Sequence, residues 1–154
     1  MSGYIMDLRK VVGSRPLIMP AAGVVIVNSD GQILLQQRTD NECWGIPGGS
    51  MDLGESFEDT ARREVREETG LEVGKLELLY VNSGKDAFYE YPNGDQVYGA
   101  AVVFTTTEFT GTVKLDPDET LDLRWFLPKS IPTNINPPDR PIIDSYVKHK
   151  GQVL

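Results

Sequence analysis

The stretch Arg62–Gly70, RREVREETG, gathers Glu64, Glu67 and Glu68 with Arg62, Arg63 and Arg66 into little more than two helical turns. It lies inside the clearest helix signal of the chain. Ser56 with Asp59 three residues on reads as a capping box. Phe57, Ala61 and Val65 recur every four residues as a buried stripe. Gly70 stands where a left-handed C-terminal cap belongs. Pairs four apart, Glu58–Arg62, Asp59–Arg63 and Arg63–Glu67, support the same helix. Residues three and four apart share a helix face, so the three glutamates point roughly one way. Taken alone, the cluster is a solvated charged face, because like charges at this spacing cost only a few tenths of a kcal/mol when exposed.

The rest of the chain restricts what that helix can belong to. It has 154 residues, the size of one domain, long enough to bury a core without staples. A single cysteine, Cys43, excludes an internal disulfide framework. No apolar run reaches the length of a membrane span, and the start, MSGYIMDLRKVVG, lacks the apolar region of a secretory leader. The expectation is a cytoplasmic protein that contacts no membrane. Tyr4, Ile5, Leu8, Val11 and Val12 suit a short amphipathic helix within about residues 1–15. That helix could pack on its own domain or on a second copy, which leaves a homodimer open. The net charge of −8 repels polyanions, so polymeric nucleic acid is not expected as a partner. Small anions remain open, since carboxylates can hold cations that in turn hold phosphate.

Around the helix the pattern is mixed. GVVIV followed by the turn NSDG and QILLQQR reads as a pair of strands. WGIPGG reads as a short strand ended by Pro47. LEVGKLELLYVN reads as a strand, and AFYEYPNGDQVYGAAVVFTTTEF as a hairpin turning at Asn93-Gly94. DLRWFLP is a further strand, and PTNINPPDRP an extended surface loop. PIIDSYVKHKG closes the chain as a helix with Ile142, Ile143, Tyr146 and Val147 inward. The order predicts an α/β fold layered around a mixed sheet.

Read from Gly49 to Leu71, the sequence GSMDLGESFEDTARREVREETGL carries Gly49, Glu55, Arg63, Glu64, Val65, Glu67, Glu68, Gly70 and Leu71 at fixed spacing. This resembles the signature of the Nudix (MutT-like) hydrolases, G-x5-E-x7-R-E-U-x-E-E-x-G-U with U aliphatic, at every specified position. Chance agreement is on the order of 10⁻⁸ per starting point. WGIPGG and LDLRWF extend the resemblance over Ala21 to Leu127. It implies an α/β/α sandwich, a single domain over 1–154 with its box at 49–71, and hydrolysis of a nucleoside diphosphate linked to another moiety, with Mg²⁺ or Mn²⁺.

By match to that signature, Glu64, Glu67 and Glu68 are the implied metal ligands, and Gly48 adds a backbone carbonyl. One of these three glutamates, or a glutamate from a distant loop, would activate the water. Glu119 in DPDET is the loop candidate, against an ordinary exposed turn acid. Arg63 orients a glutamate or simply pairs on the helix surface. Glu55 supports the metal glutamates or favours the helix N-terminus. Arg38 and Tyr89 are the substrate-binding candidates; for aromatics in that hairpin, sheet packing is the competing role. No proline appears between the box and Pro92, unlike some ADP-ribose hydrolases. Tyr89 falls eighteen residues past Leu71, near the tyrosine of some dinucleoside polyphosphate hydrolases. A nucleoside triphosphate, canonical or oxidised, is the leading substrate. A dinucleoside polyphosphate, a nucleotide sugar and a non-catalytic nucleotide sensor are the alternatives. His149, at the end of the last helix, has no spacing that would support a Ser-His-Asp or Cys-His catalyst.

Overall fold

A computed structural model describes residues 3–152. The elements in order are α1 (Tyr4–Val12), β1 (Leu17–Ile26), β2 (Ile33–Arg38), β3 (Trp44–Gly45), β4 (Gly48–Ser50), α2 (Phe57–Thr69), β5 (Glu72–Val73), β6 (Glu77–Asn82), β7 (Phe88–Glu90), β8 (Gln96–Thr106), β9 (Phe109–Thr110), β10 (Thr120–Phe126) and α3 (Arg140–Gln152). The main sheet runs β4-β1-β8-β6, with β7 on β8 as well. β1 and β8 pair in parallel, Leu17 opposite Val97 through Ile26 opposite Thr106, while β4, β6 and β7 pair antiparallel. The sheet is therefore mixed.

β1 explains the arrangement. Its run GVVIV is apolar without alternation because both faces are covered. Ala22, Val24 and Ile26 join Leu34, Ala61, Val65, Leu71 and Phe104 on the α2 side. Val25 and Val27 join Ile33, Leu35, Trp44, Ile142, Ile143 and Tyr146 on the α3 side. A helix on each face of a sheet is the layered α/β architecture that the element order predicts.

Several local expectations are corrected. The β1–β2 pair is laddered only at the Val27–Ile33 bridge. Beyond it β2 leaves for a second sheet, β10-β2-β3. Ile33, Leu34 and Leu35 are all fully buried, so β2 is clamped between the two cores rather than laid on β1. Pro47 separates β3 in the second sheet from β4 in the main one, so WGIPGG crosses between sheets instead of ending. LEVGKLELLYVN divides in the same way into β5, paired with β9, and β6, paired with β8. Phe57 is 36% exposed: side chains at a helix start lean back past the first turn, away from the sheet. The buried face of α2 is Thr60, Ala61, Glu64, Val65 and Thr69. Val147 is also exposed; of the described side chains of α3, Ile142, Ile143 and Tyr146 are the buried ones. The loop PTNINPPDRP does not lie on the surface throughout. Ile135 bridges Trp44, Ile135 and Asn136 are buried, and a 3₁₀ turn follows over Pro137–Asp139.

Candidate functional site

α2 is fixed at both ends by local chemistry. The Asp59 N–H donates to Ser56 Oγ and the Ser56 N–H to Asp59 Oδ2, each at 3.0 Å. Gly70 takes φ 79° and its N–H closes on Arg66 O at 3.0 Å. With its rotation set by Ala61 and Val65, the helix turns Glu64 and Glu68 inward under β4. The two carboxyl groups face each other there. Burial first, and neighbouring Glu64 second, push the Glu68 carboxyl well above the usual range. Gln36 Nε2 donates to Glu68, and the Gly48 N–H lies 3.4 Å from the same Oε2. Gln36 is oriented in turn by Thr120, whose hydroxyl donates to its Oε1 at 3.1 Å.

Two glycines allow this approach. A Cβ on Gly49 would sit 2.6 Å from the Glu64 carboxyl, and one on Gly48 2.6 Å from Ala22 O. Strand and helix are as close as backbone permits, so the carboxylates meet β4 itself.

Arg63 gathers the rest. Its Nε donates to Glu55 Oε2 at 2.6 Å and its Nη2 to Glu55 Oε1 at 2.9 Å, a fork that holds both oxygens. Nη1 donates to Glu64 Oε1 at 2.8 Å and reaches Glu67 Oε2 at 3.4 Å, and Nη2 donates to Ser50 O at 3.0 Å. Its partners on the helix are thus Glu64 and Glu67, whereas Asp59 is taken by the cap. Arg62 donates to Val73 O. The Arg63 fork holds the Glu55 carboxyl down at about 2 against an ordinary 4.5. A carboxylate depressed in this way adds stability above its unfolded value and loses it as pH falls towards the folded one. Glu55→Gln is therefore expected to cost about 1–2 kcal/mol at pH 7, after solvent screening, with the difference closing between about pH 4.5 and 2. Denaturant midpoints at both pH values check it.

The three glutamates differ in how far the sheet covers them. Glu64 is 3% exposed at its side chain and Glu67 is 55% exposed. Among the described residues, no three His, Cys, Asp or Glu side chains are gathered around one point. Glu119 lies on the exposed turn before β10, next to Thr120, with its N–H on Asp116 O at 3.0 Å. His149 is exposed on α3, bonded to Ser145, remote from the acidic group. Cys43 is a half-buried free thiol.

From Gly48 and Gly49 a cavity of about 120 Å³ runs over the small residues Ala21, Gly23, Gly99 and Ala101. It ends at Arg38, Tyr89, Tyr91, Asn136 and Asp139. The sequence candidates Arg38 and Tyr89 thus share one wall. Tyr89 packs edge-on to Tyr91 at 4.9 Å, while Phe88 turns to the other face against Tyr98. Arg38 forks Asp40 at 2.8 and 2.7 Å. Asn41 Nδ2 joins Tyr89 Oη at 3.2 Å to Asn136 Oδ1 at 2.9 Å, and Asn136 Nδ2 donates to Asp139 Oδ2 at 2.9 Å. Burial pushes the Asp139 carboxyl up to about 6, against the Asn136 hydrogen bond and the Arg38 charge. Gln36, Asn41, Thr120, Asn136 and Asp139 were not singled out from sequence. Gln36 left a trace there, a polar residue directly after the apolar run ILL.

These features have close parallels. The NUDIX domain profile matches residues 17–146. An RNA pyrophosphohydrolase of Sphingopyxis alaskensis is 40% identical over 76 residues, 48% of each chain, so the match spans about half of that relative. A putative 8-oxo-dGTP diphosphatase of Bacillus subtilis is 35% identical over 112 residues, 72% of this chain and 68% of that one. The crystal structure of a MutT NUDIX hydrolase from Burkholderia pseudomallei superposes with a TM-score of 0.71 at 31% identity, covering 85% of this chain and 98% of that one. The chain belongs to the Nudix hydrolase family. Among the described residues no helix is long and apolar enough to cross a membrane.

Proposed function

We propose that this chain, as a single catalytic domain, hydrolyses a phosphoanhydride bond in a nucleoside diphosphate linked to another moiety, a nucleoside triphosphate, canonical or oxidised, being the leading substrate. The observation that carries this is the continuity of one cavity. It joins the glycines above the facing Glu64–Glu68 pair to a pocket lined by Arg38, Tyr89 and Asp139.

The donor set fits Mg²⁺ or Mn²⁺: carboxylate oxygens, two of them facing each other out of bulk water, beside a backbone cradle that a Cβ would fill. Glu64, Glu67, Glu68 and the Gly48 carbonyl are the residues that would hold it. When bound, the ion neutralises phosphate oxygens and makes water more acidic. Arg63 holds Glu64 in place through the Nη1 hydrogen bond. Glu67, exposed on the outer side of the pair, and Glu119, on the exposed turn before β10, are the two candidates to take a proton from water. Tyr89 and Tyr91 offer ring surface to a base, and Asn136 and Asp139 offer polar edges. The net charge of −8 favours a small nucleotide over the polymer named for the Sphingopyxis relative.

A Mg²⁺-dependent screen tests this across nucleoside triphosphates, dinucleoside polyphosphates, nucleotide sugars and 5′-triphosphorylated RNA, with product masses and the position of water-derived ¹⁸O recorded. Release of nucleoside monophosphate and pyrophosphate from a triphosphate supports the proposal. Binding without release in every class sinks it.

The pocket carries its own expectation. Asp139 favours its protonated form in the fold, so its contribution to stability falls as pH rises from about 4 to about 6. Asp139→Asn should remove that slope and gain about 1–2 kcal/mol at pH 7.5. It should also raise KM for the nucleotide more than it lowers kcat. Paired urea titrations at pH 4.5 and 7.5, with steady-state kinetics, check both parts.

A further inference from the structure

The N-terminal helix is tied to the acidic group through one carboxylate. α1 buries no residue fully, and Tyr4, Met6 and Val11 stay exposed. Polar clips hold it instead. At its C-terminal end Arg9 is folded in, with a side chain 8% exposed, donating to Gly13 O at 2.9 Å and to Arg15 O and Gln96 O at 2.6 Å each. Its Nε lies 3.8 Å from Asp95 Oδ2. At the N-terminal end Asp52 Oδ1 accepts the Tyr4 N–H at 3.0 Å, one of the donors a helix start leaves unpaired. Gly3 passes so close that a Cβ there would lie 2.6 Å from the same oxygen, and its φ is 141°. The other oxygen, Asp52 Oδ2, lies 3.6 Å from Arg63 Nη2, and the Asp52 N–H donates to Glu55 Oε1 at 2.8 Å. Asp52 stands at one of the five unspecified positions between Gly49 and Glu55, so the signature motif is silent on it.

We propose that Asp52 is a positioning residue through which docking of α1 sets the Arg63–Glu64 pair. With α1 docked, the Tyr4 amide holds Oδ1 and keeps Oδ2 short of a full hydrogen bond to Arg63. The guanidinium then stays with Glu55 and Glu64. With α1 released, Asp52 is free to close on Arg63 and draw it from Glu64, so the acidic set loses the geometry that holds a cation. α1 is suited to this, since an element whose apolar side chains are at most half-buried opens at low free energy. The inference rests on reading Glu64, Glu67 and Glu68 as the cation-holding set.

The test uses full-length Gly3→Ala/Arg9→Ala, whose sites lie outside that set, in the natural background and on top of Asp52→Ala. Three readouts are taken: titration with Mn²⁺ alone, hydrogen exchange of the α1 amides, and kcat with KM. The double variant is expected to lose α1 protection, to bind Mn²⁺ roughly threefold to tenfold more weakly and to lose kcat by a similar factor, with KM unchanged. On Asp52→Ala the same substitutions should change neither Mn²⁺ affinity nor kcat. Unchanged Mn²⁺ affinity in the double variant, retained α1 protection, or an equal loss on the Asp52→Ala background would each overturn the proposal. No Mn²⁺ binding to the unsubstituted protein would overturn the acidic-set reading beneath it, which is a distinguishable result.

Discussion

Glu68→Gln is expected to lower turnover by roughly a hundredfold or more at saturating Mg²⁺, while the protein melts at the same temperature or higher. The two halves share one cause. Glu68 is half-buried against the buried Glu64, and both desolvation and that neighbour disfavour its charged form. An amide of the same shape removes the repulsion and still accepts from Gln36, so the fold has nothing to lose at pH 7.5. A neutral oxygen cannot balance a divalent cation, so chemistry has much to lose. Glu67→Gln should also cost roughly a hundredfold, but with no gain in stability, because Glu67 is 55% exposed and its charge is already solvated. Single-turnover rates over a Mg²⁺ series, with calorimetric melts, separate these outcomes. Rates within about threefold of the unsubstituted protein in both variants would remove the metal-site assignment.

The contrast between those two residues also shows what the sequence made legible. The spacing from Gly49 to Leu71 specified a helix, its caps and the residues that meet beneath β4, because helical periodicity and cap chemistry are local. It placed Glu64, Glu67 and Glu68 on a common side only to within a helical turn. The difference between 3% and 55% exposure depends on which side the sheet covers. Phe57 illustrates the limit, an apolar residue in register that falls past the sheet edge. β2 was legible as a strand but not as a deserter from β1, since only the second sheet, built from β10 far along the chain, accounts for its departure. The nucleotide pocket was least legible. Asn136 and Asp139 sit in a proline-rich run that composition assigns to the surface, and only the bridge from Ile135 to Trp44 draws it inward. Arg38 and Tyr89 were nameable as types, but their common wall needs a hairpin, a strand end and a loop brought together across 98 positions of sequence, from Asn41 to Asp139.

Arg63→Ala is expected to be the most damaging single change to stability at the site. Its guanidinium serves both Glu55 oxygens, Glu64, Glu67 and the Ser50 carbonyl. Loss of the Glu67 contact costs little, because that carboxylate is exposed. Loss of the Glu64 contact leaves a buried carboxylate facing Glu68 with no cation beside it, and removing one partner of a buried pair costs about 3–5 kcal/mol. At this chain length that is a fall of about 6–20 °C in Tm. The acidic-set reading then requires an asymmetry under metal. Mg²⁺ at millimolar concentration stabilises any fold that holds it, by an amount set by affinity. In Arg63→Ala it also relieves the repulsion that Arg63 had balanced, so the Mg²⁺-induced rise in Tm should exceed that of the unsubstituted protein. Arg63→Lys should fall between the two, since an ammonium restores charge to Glu64 but cannot fork Glu55. Melting all three with EDTA and with Mg²⁺ decides the matter. Equal shifts would mean that the carboxylates Arg63 holds are not those a cation meets.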